Sequence, residues 1–430
     1  MDYRHMLQRS LDEIEENLQA DITAQELAEH AGFSLYHFYR LFHAYTGMPV
    51  MQYVQRRRLL HAIYDVRNGE KRIDAALRYG FDTYAGFYKA FRREYACTPS
   101  AFLRKNRAKK PVRINLLEEE HMNINQARQA LAHWGMENEP VQSWYDESSG
   151  HLIDHALLVG EQYVLKWDAK LAGLVNSMGI AQQLKSLGVD TQTPVPTLQG
   201  AQYIQIGSMY VSLFRRARGK EIIAAELYDG GGEREARFVG EVIGQLHLAL
   251  AGAEMQVKEA ELLSTVRDWA LPNAGDILGL SREWMADYVA ECEKLFPKLP
   301  RQIIHRNPHP GAILKAQGEW GMIDFEMAER NVRIFDPCYA ATAVLSESFE
   351  EGNAQKFERW LSIYHNILHG YDSVVRLTEP EKQAAPYVLL ANQFVCVAWF
   401  ATQEKYQDVF EINCKMTRAI ISYMDQLRMA

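Results

Sequence analysis

The chain has 430 residues, of which 47% are hydrophobic and 24% charged, and its formal net charge is −8. This composition is typical of a globular protein with more than one core, and it excludes disordered, collagen-like and disulfide-rich classes. The sequence has no signal peptide and no apolar run of membrane-spanning length, and its five cysteines form no C-x-x-C pair, so we expect a cytoplasmic protein with reduced thiols and no membrane partner.

Charge is distributed unevenly along the chain. Residues 1–110 contain 18 Lys and Arg against 13 Asp and Glu, and residues 31–110 alone contain 16 against 5. The remaining residues contain 29 basic and 42 acidic side chains. A basic block followed by an acidic part favours a polyanion-binding module joined to a different domain.

Two segments in the first hundred residues repeat each other. Residues 31–49, AGFSLYHFYRLFHAYTGMP, and residues 79–99, YGFDTYAGFYKAFRREYACTP, share a Gly-Phe pair, two spaced phenylalanines and a final proline. Each copy predicts a helix, a tight turn at Gly32 or Gly80, and a second helix whose phenylalanines face a core. A longer helix over residues 49–69 is predicted to connect the copies. Helix caps are predicted at Thr23, Ser34 and Thr83.

This repeat predicts a tandem helix-turn-helix. In such a unit the second helix enters the DNA major groove, and two units braced by a rigid helix can reach successive grooves about 34 Å apart. The side chains left outside the predicted cores are aromatic or basic, as contacts to bases and phosphates require. The candidate DNA-binding residues are Tyr36, His37, Tyr39, Arg40, Arg56, Arg57, Tyr84, Lys89, Arg92 and Arg93. A helical bundle whose exposed face happens to be basic is the alternative.

Residues from about 7 to 106 resemble the DNA-binding domain of AraC/XylS-family transcription regulators. The resemblance rests on the paired units, the connecting helix and the second-unit sequence YGFDTYAGFYKAFRREYACTPSAFL. It implies double-stranded DNA as a partner. Ala96-Cys97 stand where a glycine is usual, and Gly86 lies inside the second recognition helix, where glycine costs about 1 kcal/mol. A scaffold that has lost sequence-specific DNA binding is therefore a further hypothesis.

The pattern changes after residue 106. A basic and then acidic stretch over residues 107–122 predicts a linker. Beyond it, HALLVGEQYVLKWD and YIQIGSMYVSLFRRARG predict strands, whereas the chain after Phe238 is mainly helical. The predicted domains are a tandem helix-turn-helix domain over residues 1–106 and a second domain over residues 123–430, with a small lobe over about 123–216 and a helical lobe over about 217–430.

The second domain resembles the aminoglycoside phosphotransferase and choline-kinase-like fold, a relative of protein kinases. Its landmarks occur in order as YVLKW, LKSLGVDTQTPVP, SLFRRARGKEI, VIGQLHLAL, IIHRNPHPGAIL and GMIDFEMAERNVRIFDP. The predicted fold class is therefore mainly α with an α+β portion, in which a tandem helix-turn-helix domain precedes a two-lobed kinase-like domain.

The resemblance also implies candidate site residues. Phosphoryl transfer needs a lysine on the phosphates, an aspartate facing the acceptor hydroxyl, and an asparagine and an aspartate on magnesium. Lys166 corresponds to that lysine and Asp324 to the magnesium-binding aspartate, so Asp324 is the metal ligand if Mg-nucleotide binding is retained. The candidate ligand- or nucleotide-binding residues are Lys166, His305, Asn307, Asp324 and Glu326.

The sequence departs from this family at catalytic positions. Asn307 replaces the catalytic aspartate, and an amide cannot accept a proton. Ala312 replaces the metal-binding asparagine. The helix after Lys166 has no acidic residue where a glutamate is expected, and DESSGHLID before it holds only Gly150 instead of a glycine-rich loop. These losses together predict a catalytically degenerate domain, a pseudokinase.

The leading hypothesis is a transcription regulator whose kinase-like domain senses a small-molecule effector without turnover. The acidic second part favours a cationic effector. The alternative is a bifunctional regulator that is also an active small-molecule phosphotransferase using Mg-ATP. The sequence does not decide whether Mg-ATP is a cofactor or whether the chain forms a homodimer. It also does not identify the effector or decide between activation and repression of transcription.

Overall fold

A computed structural model describes residues 3–104, 108–117, 121–147, 149–253, 255–316, 319–403 and 406–429, and of Asp154 only the backbone. The chain forms two compact units, Met1–Leu171 with Pro194–Arg216, and Ala172–Thr193 with Ala217–Ala430. The domain junction predicted at residues 106 and 107 lies outside the described residues.

Helices dominate both units. The α-helices are α1 (Tyr3–Glu16), α2 (Ala24–His30), α3 (Leu35–Thr46), α4 (Val50–Arg67), α5 (Arg72–Arg78), α6 (Tyr84–Tyr95), α7 (Pro99–Arg104), α8 (Ile124–Leu131), α9 (Leu171–Ser186), α10 (Gly232–Leu250), α11 (Leu262–Thr265), α12 (Leu271–Leu278), α13 (Arg282–Leu295), α14 (Phe335–Ser348), α15 (Ala354–Val374), α16 (Glu379–Phe400) and α17 (Gln407–Ser422). A π-helical turn, Val266–Ala270, joins α11 to α12. Short 3₁₀ turns lie at Ala132–Trp134, Ala224–Tyr228, Phe296–Lys298, Pro310–Ala312, Phe325–Met327 and Met424–Leu427.

The strands are short. They are β1 (Val141–Tyr145), β2 (Leu152–Val159), β3 (Tyr163–Asp168), β4 (Asp190–Thr191), β5 (Thr193–Val195), β6 (Ile204–Ile206), β7 (Met209–Arg215), β8 (Lys220–Glu221), β9 (Lys258–Glu259), β10 (Arg301–Ile304), β11 (Ile313–Ala316), β12 (Glu319–Met322) and β13 (Glu329–Val332).

The first unit begins with the repeated helix-turn-helix that the sequence predicts. The side chains of Thr23, Ser34 and Thr83 cap α2, α3 and α6 by accepting backbone N–H groups. The turns between the paired helices fall at Gly32 and Gly80, whose φ angles of 72° and 76° lie in the left-handed region that favours glycine. The connecting helix α4 follows Pro49 and joins the pair α2 and α3 to the pair α5 and α6.

One apolar core holds these helices together. Phe38 and Phe42 of α3 and Phe87 and Phe91 of α6 are fully buried in it. Their spacing of four residues places each pair on one helix face, so each second helix leaves its opposite face outward. Tyr53 of α4 packs edge-on against Phe42, with 5.7 Å between ring centroids.

Residues of the predicted linker contact this same core. Ala108, Ile114 and Leu116 are buried in it. The Gln8 side chain donates to the Ile114 carbonyl oxygen at 3.0 Å and accepts from the Leu116 N–H at 2.7 Å. The described residues of 108–117 therefore pack on α1 instead of forming a free tether.

The rest of the first unit is an antiparallel sheet in the order β1-β2-β3-β7-β5, with β6 paired to β7. Lys166 of β3 lies opposite Ala156 of β2 and Ser212 of β7. Leu131 and Trp134, at the end of α8, pack on one face of this sheet with Leu165. Buried side chains are consecutive along residues 164–167 of β3 and 211–214 of β7, so these central strands are covered on both faces and do not show the alternation that the sequence predicts.

The second unit contains the helices from α9 onward and small sheets in the orders β4-β12-β11-β8 and β10-β13-β9. Its core is built mainly by α10 and α14 to α17, with Trp360 and Tyr364 fully buried. The loop between β10 and β11 and the loop after β12 are both held by this core. Among the helices of the described ranges, none combines the length and the apolar character that crossing a membrane requires. The predicted fold class, mainly α with an α+β portion, is confirmed.

Candidate functional site

The outward faces of α3 and α6 carry most of the candidate DNA-binding side chains. On α3, Tyr36 is 73% exposed, and Tyr39 and Arg40 are exposed beside it. On α6, Lys89, Arg92 and Arg93 are exposed. Tyr84 and His37 are half-buried, and the His37 ring lies 5.3 Å from the Phe33 ring, centroid to centroid. The structure therefore presents two aromatic and basic helix faces that fit a DNA major groove.

Both candidate arginines of the connecting helix are engaged within the first unit. Arg57 is only 1% exposed, and its Nη2 donates to Glu15 Oε2 at 2.8 Å. Arg56 forms an ion pair with Glu94 at 3.4 Å, and its guanidinium lies 4.9 Å from the Tyr145 ring centroid. A buried and fully engaged arginine cannot reach a phosphate, so the expectation that Arg57 contacts DNA does not fit the structure. Its spacing could have revealed this, because Tyr53, Arg57 and Leu60 share one helix face.

Glu15 is the anion at the centre of this arrangement. Burial raises its pKa, but the hydrogen bond from His61 and the charge and hydrogen bonds of Arg57 outweigh burial and lower the pKa to about 2. Glu15 also accepts a hydrogen bond from the Tyr53 hydroxyl at 3.2 Å. The carboxylate is therefore charged and bonded on several sides inside the first unit.

The turn between β1 and β2 contacts the connecting helix directly. We call residues 146–151 the docked turn; Ser148 within it lies outside the described residues. Gly150 has a φ of 69°, and a Cβ there would lie 2.5 Å from Leu60 Cδ1 and 2.9 Å from Arg57 Nη1. Only a glycine allows this approach. The Ser149 carbonyl accepts from Arg57 Nη1 at 3.4 Å and from the Val112 N–H at 2.9 Å.

Residues on either side of the docked turn continue the contact. The Tyr145 hydroxyl, at the end of β1, donates to the Thr46 carbonyl at the end of α3. Leu152, at the start of β2, is buried in the core of the N-terminal helices. Within the turn, Asp146 Oδ1 accepts from the backbone N–H of Ser149 at 2.7 Å. The sheet and the DNA-binding helices are thus packed together inside one unit.

Lys166 occupies the strand position that the sequence predicts. It lies on β3 and is 9% exposed, and its Nζ is 5.9 Å from the centroid of the Phe214 ring. Helix α9, which follows β3, contains no acidic residue along Leu171–Ser186. In protein kinases a glutamate on the helix after this strand pairs with the strand lysine, and α9 carries no such acid.

The loop after β10 is built around Asp336, at the start of α14. Its fully buried carboxylate accepts from the backbone N–H groups of His305 at 2.8 Å and Arg306 at 2.9 Å, and from His247 Nε2 at 3.0 Å. His247 Nδ1 is 2.8 Å from the Tyr371 hydroxyl. Sequence reasoning missed Asp336; the signal was an acidic residue within the apolar run RIFDP.

His305 and Arg306 give the loop its shape. His305 is fully buried; its Nε2 donates to the Ile323 carbonyl at 2.8 Å, and its Nδ1 accepts from the Asn307 N–H at 3.3 Å. Arg306 has a φ of 73°, which is unusual for a residue with a side chain. Its guanidinium bonds to Glu329 at 3.1 Å and lies 4.2 Å from the Phe335 ring centroid. His305 is therefore a structural residue of the loop and does not point outward to a ligand.

Asn307, where the resemblance implies a catalytic aspartate, is held in place by Tyr339. The Tyr339 hydroxyl donates to its Oδ1. Burial raises the pKa of Tyr339, with smaller contributions from its neighbours, so the phenol stays protonated and keeps donating at neutral pH. The amide oxygen is thus engaged, and neither side chain is a proton acceptor for a substrate hydroxyl.

The metal site of a phosphotransferase does not fit the residues present. Ala312 is fully buried and packs with Leu314 and Ile323, so a methyl group stands where an oxygen ligand is expected. Asp324 and Glu326 are half-buried beside the loop, and Asp324 has a φ of 68°. In the described ranges, no group of three or more His, Cys, Asp or Glu side chains could hold a metal ion. Asp324 alone is a poor site for Mg²⁺, which demands several oxygens in near-octahedral geometry.

The N-terminal part is similar to known DNA-binding regulators. Residues 27–105 match a helix-turn-helix domain family. Over 90 residues the chain is 33% identical to the HTH-type transcriptional activator AarP of Providencia stuartii, covering 21% of this chain and 67% of AarP. Over 103 residues it is 29% identical to the regulatory protein SoxS of Salmonella typhimurium, covering 24% of this chain and 96% of SoxS. These similarities concern only about the first quarter of the chain.

The remainder is similar to phosphotransferases. Residues 157–372 match the phosphotransferase enzyme family. The structure of a microcompartment-associated aminopropanol kinase superposes with a TM-score of 0.52 at 16% identity, covering 70% of this chain and 98% of the kinase. At that identity the likeness shows the fold alone.

Proposed function

Because this chain belongs to the phosphotransferase enzyme family and joins that domain to an AraC-type DNA-binding domain, we propose that it is a transcription regulator whose phosphotransferase-like domain binds a small effector without turnover. DNA binding is supported by the match of residues 27–105 to the helix-turn-helix domain family. Binding without turnover is the proposal, and the state of Asn307 is the observation that supports it most strongly.

Asn307 supports a loss of chemistry because of its partner. An unengaged amide could still orient an acceptor hydroxyl, but the Tyr339 hydroxyl donates to the amide oxygen. The loop around Asn307 is kept in place by Asp336 and His305, whose bonds do not depend on a substrate. An amide in place of a carboxylate supplies neither the negative charge that orients the acceptor hydroxyl nor an acceptor for its proton, so this loop suits binding more than transfer.

Ala312 and α9 point in the same direction. A phosphotransferase neutralises the developing phosphate charge with Mg²⁺, and Ala312 offers that ion no ligand. Helix α9 also lacks the acid that the corresponding helix of protein kinases carries. Each loss costs transition-state stabilisation, so together they favour a domain in which a ligand is held and not consumed.

The docked turn supplies a physical route from ligand to DNA. In protein kinases a glycine-rich loop covers the nucleotide phosphates. Here the docked turn, between β1 and β2, contacts the connecting helix instead, through Gly150 and Ser149. Lys166 pairs with Ala156 of β2, and the same strand starts with Leu152 in the core of the DNA-binding helices. An effector that binds at Lys166 would shift β2 and, with it, the helices that carry the recognition residues.

The acidic charge of the second part favours an effector with a cationic group, such as an amine, and Lys166 would then bind an acceptor oxygen of the same ligand or of a nucleotide bound with it. We test this with the full chain by measuring thermal shifts against amines and polyols, with and without Mg-ATP. DNA duplexes selected from a random pool then report affinity with each stabilising ligand. We expect a ligand that raises the melting temperature to change the DNA dissociation constant, and Lys166→Ala to lose that effect.

The alternative, an active phosphotransferase, is tested in the same samples. Lys166 and Asp324 are retained, and they motivate it. We expect no transfer of labelled phosphate from Mg-ATP to any ligand that binds. Mg-ATP-dependent phosphorylation of a ligand, lost in Asp324→Ala, would overturn the proposal of binding without turnover and would leave the assignment of the DNA-binding domain intact.

A further inference from the structure

A groove runs between the first recognition helix and α8. Its cavity volume is about 510 Å³, and it is lined by Tyr39, Arg40 and His43 of α3 and by Asn125 and Arg128 of α8. Helix α8 lies outside the predicted DNA-binding domain and outside residues 27–105, which match the helix-turn-helix family. This side of the groove is therefore not explained by the DNA-binding domain itself.

The groove has a charge that suits a polyanion. Arg40 and Arg128 face it together with His43, and the described residues that line it include no carboxylate. The exposed side chains of α8 are arginine and amides: Asn125, Gln126, Arg128 and Gln129. The chain as a whole carries a net charge of −8. The absence of acidic side chains on α8 therefore sets this helix apart from the average composition of the chain.

Helix α8 is anchored beside α3. Ile124, in its first turn, is buried and also lines the floor of the groove. The Asn123 side chain and Gln126 form a reciprocal cap that fixes the start of the helix. The ring of His121, just before α8, stacks on Tyr45 near the end of α3, with centroids 6.0 Å apart and an interplanar angle of 16°. Arg128 is thus held near α3 by packed residues.

We propose that α8 is an additional DNA-contacting element, in which Arg128 and Asn125 bind the sugar-phosphate backbone beside the groove that α3 enters. The proposal rests on the DNA binding described above. A major groove is about 12 Å wide, so a helix inserted in it lies between two phosphate strands. Helix α8 lies next to the exposed face of α3, so it would contact one of these two phosphate strands. Such contacts position the protein and carry no sequence information.

Counterion release gives a direct test with the full-length protein. We measure binding of a fluorescent 40-base-pair duplex of mixed sequence at salt concentrations from about 50 to 200 mM. Each phosphate contact contributes about 0.9 to the slope of log affinity against log salt. We expect Arg128→Gln to reduce the magnitude of that slope by about 0.9, and Arg128→Lys, which keeps the charge, to leave it unchanged. Arg282→Gln, the same change at an exposed arginine of the second unit, is the matched control and should also leave the slope unchanged.

Sequence selectivity separates backbone contacts from base contacts. We expect Arg128→Gln to weaken binding by the same factor on every selected duplex, whereas Arg40→Gln should change the ranking of duplexes. An unchanged slope in Arg128→Gln, with a changed ranking of duplexes in Arg40→Gln, would exclude α8 from the interface. If inorganic phosphate stabilises the wild type and not Arg128→Gln, while the slope is unchanged, the groove binds a small anion and the proposal is wrong. A wild type that binds no duplex at low salt would overturn the DNA-binding function itself.

Discussion

Arg57 and Ser149 are 92 positions apart, and the guanidinium Nη1 of Arg57 donates to the Ser149 carbonyl oxygen at 3.4 Å. The same guanidinium donates through Nη2 to Glu15. One buried cation therefore joins α1, the connecting helix α4 and the docked turn of the sheet. The contact makes the DNA-binding helices and the sheet parts of the same packed unit.

Arg57→Met is expected to destabilise the protein strongly. The change leaves the Glu15 carboxylate buried without its main charged partner, which typically costs about 3 to 5 kcal/mol. Urea unfolding followed by circular dichroism measures the loss. The double variant Glu15→Gln/Arg57→Met removes both charges and should recover a large part of it. Equal stability of wild type and Arg57→Met would show that the ion pair is not engaged in solution.

The Glu15 ion pair also predicts a pH dependence. The pKa of Glu15 is lowered to about 2 from an ordinary value of 4.5, so its contribution to stability is fully present above about 4.5 and is lost as the pH falls toward 2. We expect the difference in unfolding free energy between wild type and Glu15→Gln to shrink over that range. Measuring both proteins at each pH removes the effect of the other carboxylates. A difference that stays constant down to about pH 3 would contradict the assigned pKa shift.

Local features of the DNA-binding region were predictable because they follow from short-range rules. Phenylalanines four residues apart placed Phe38 and Phe42 inside, and a glycine before each second helix placed the turn. The strand position of Lys166 is predicted by the branched and aromatic residues around it in HALLVGEQYVLKWD. These features depend on neighbours within one or two helical turns, and the sequence shows those neighbours directly.

Long-range contacts were not predictable in the same way. Nothing near Gly150 in the sequence indicates that it packs on Leu60, and nothing near Asn307 indicates that Tyr339 bonds to it. Such pairs are set by how whole elements dock, and they leave no periodic pattern. The sequence predicts a DNA contact at Arg57 because arginine is suited to phosphates, although the position of Arg57 on the apolar face of α4 favours burial.

Gly86 in the second recognition helix is expected to weaken α6 without a structural need for glycine. A Cβ at this position would meet only Thr83 Oγ1, at 3.4 Å, and Gly86 lies within a regular helix. Gly86→Ala should therefore stabilise the protein by up to about 1 kcal/mol. Gly32→Ala is the contrasting change, because Gly32 has a φ of 72° and alanine there costs roughly 1 to 2 kcal/mol.

Urea unfolding of both glycine variants measures the change in unfolding free energy, which should rise in Gly86→Ala and fall in Gly32→Ala. The DNA assay adds a second readout, since a stiffer α6 should bind a mixed-sequence duplex at least as tightly as the wild type does. A loss of stability in Gly86→Ala would mean that the first turn of α6 does not tolerate a Cβ beside Thr83 Oγ1. A loss of DNA affinity with gained stability would mean that the added methyl group meets the DNA.

Asp336 is expected to be the residue on which the loop containing Asn307 depends most. Its carboxylate accepts from two successive backbone N–H groups, of His305 and Arg306, and from His247. In Asp336→Asn one acceptor oxygen becomes an NH₂ group that faces a donor, so a buried N–H loses its partner. Leaving a buried polar group unsatisfied typically costs about 1 to 3 kcal/mol, and more where a charge is involved. Where the NH₂ group replaces Oδ1, the lost bond is that of the Arg306 N–H, which holds Arg306 at its φ of 73°. Asp268→Asn, at an exposed aspartate paired only locally with Arg267, is the matched control and should leave unfolding unchanged. Chemical denaturation of the two variants beside the wild type checks the prediction. Equal midpoints for Asp336→Asn and Asp268→Asn would show that the loop is held by its packing and not by the Asp336 carboxylate.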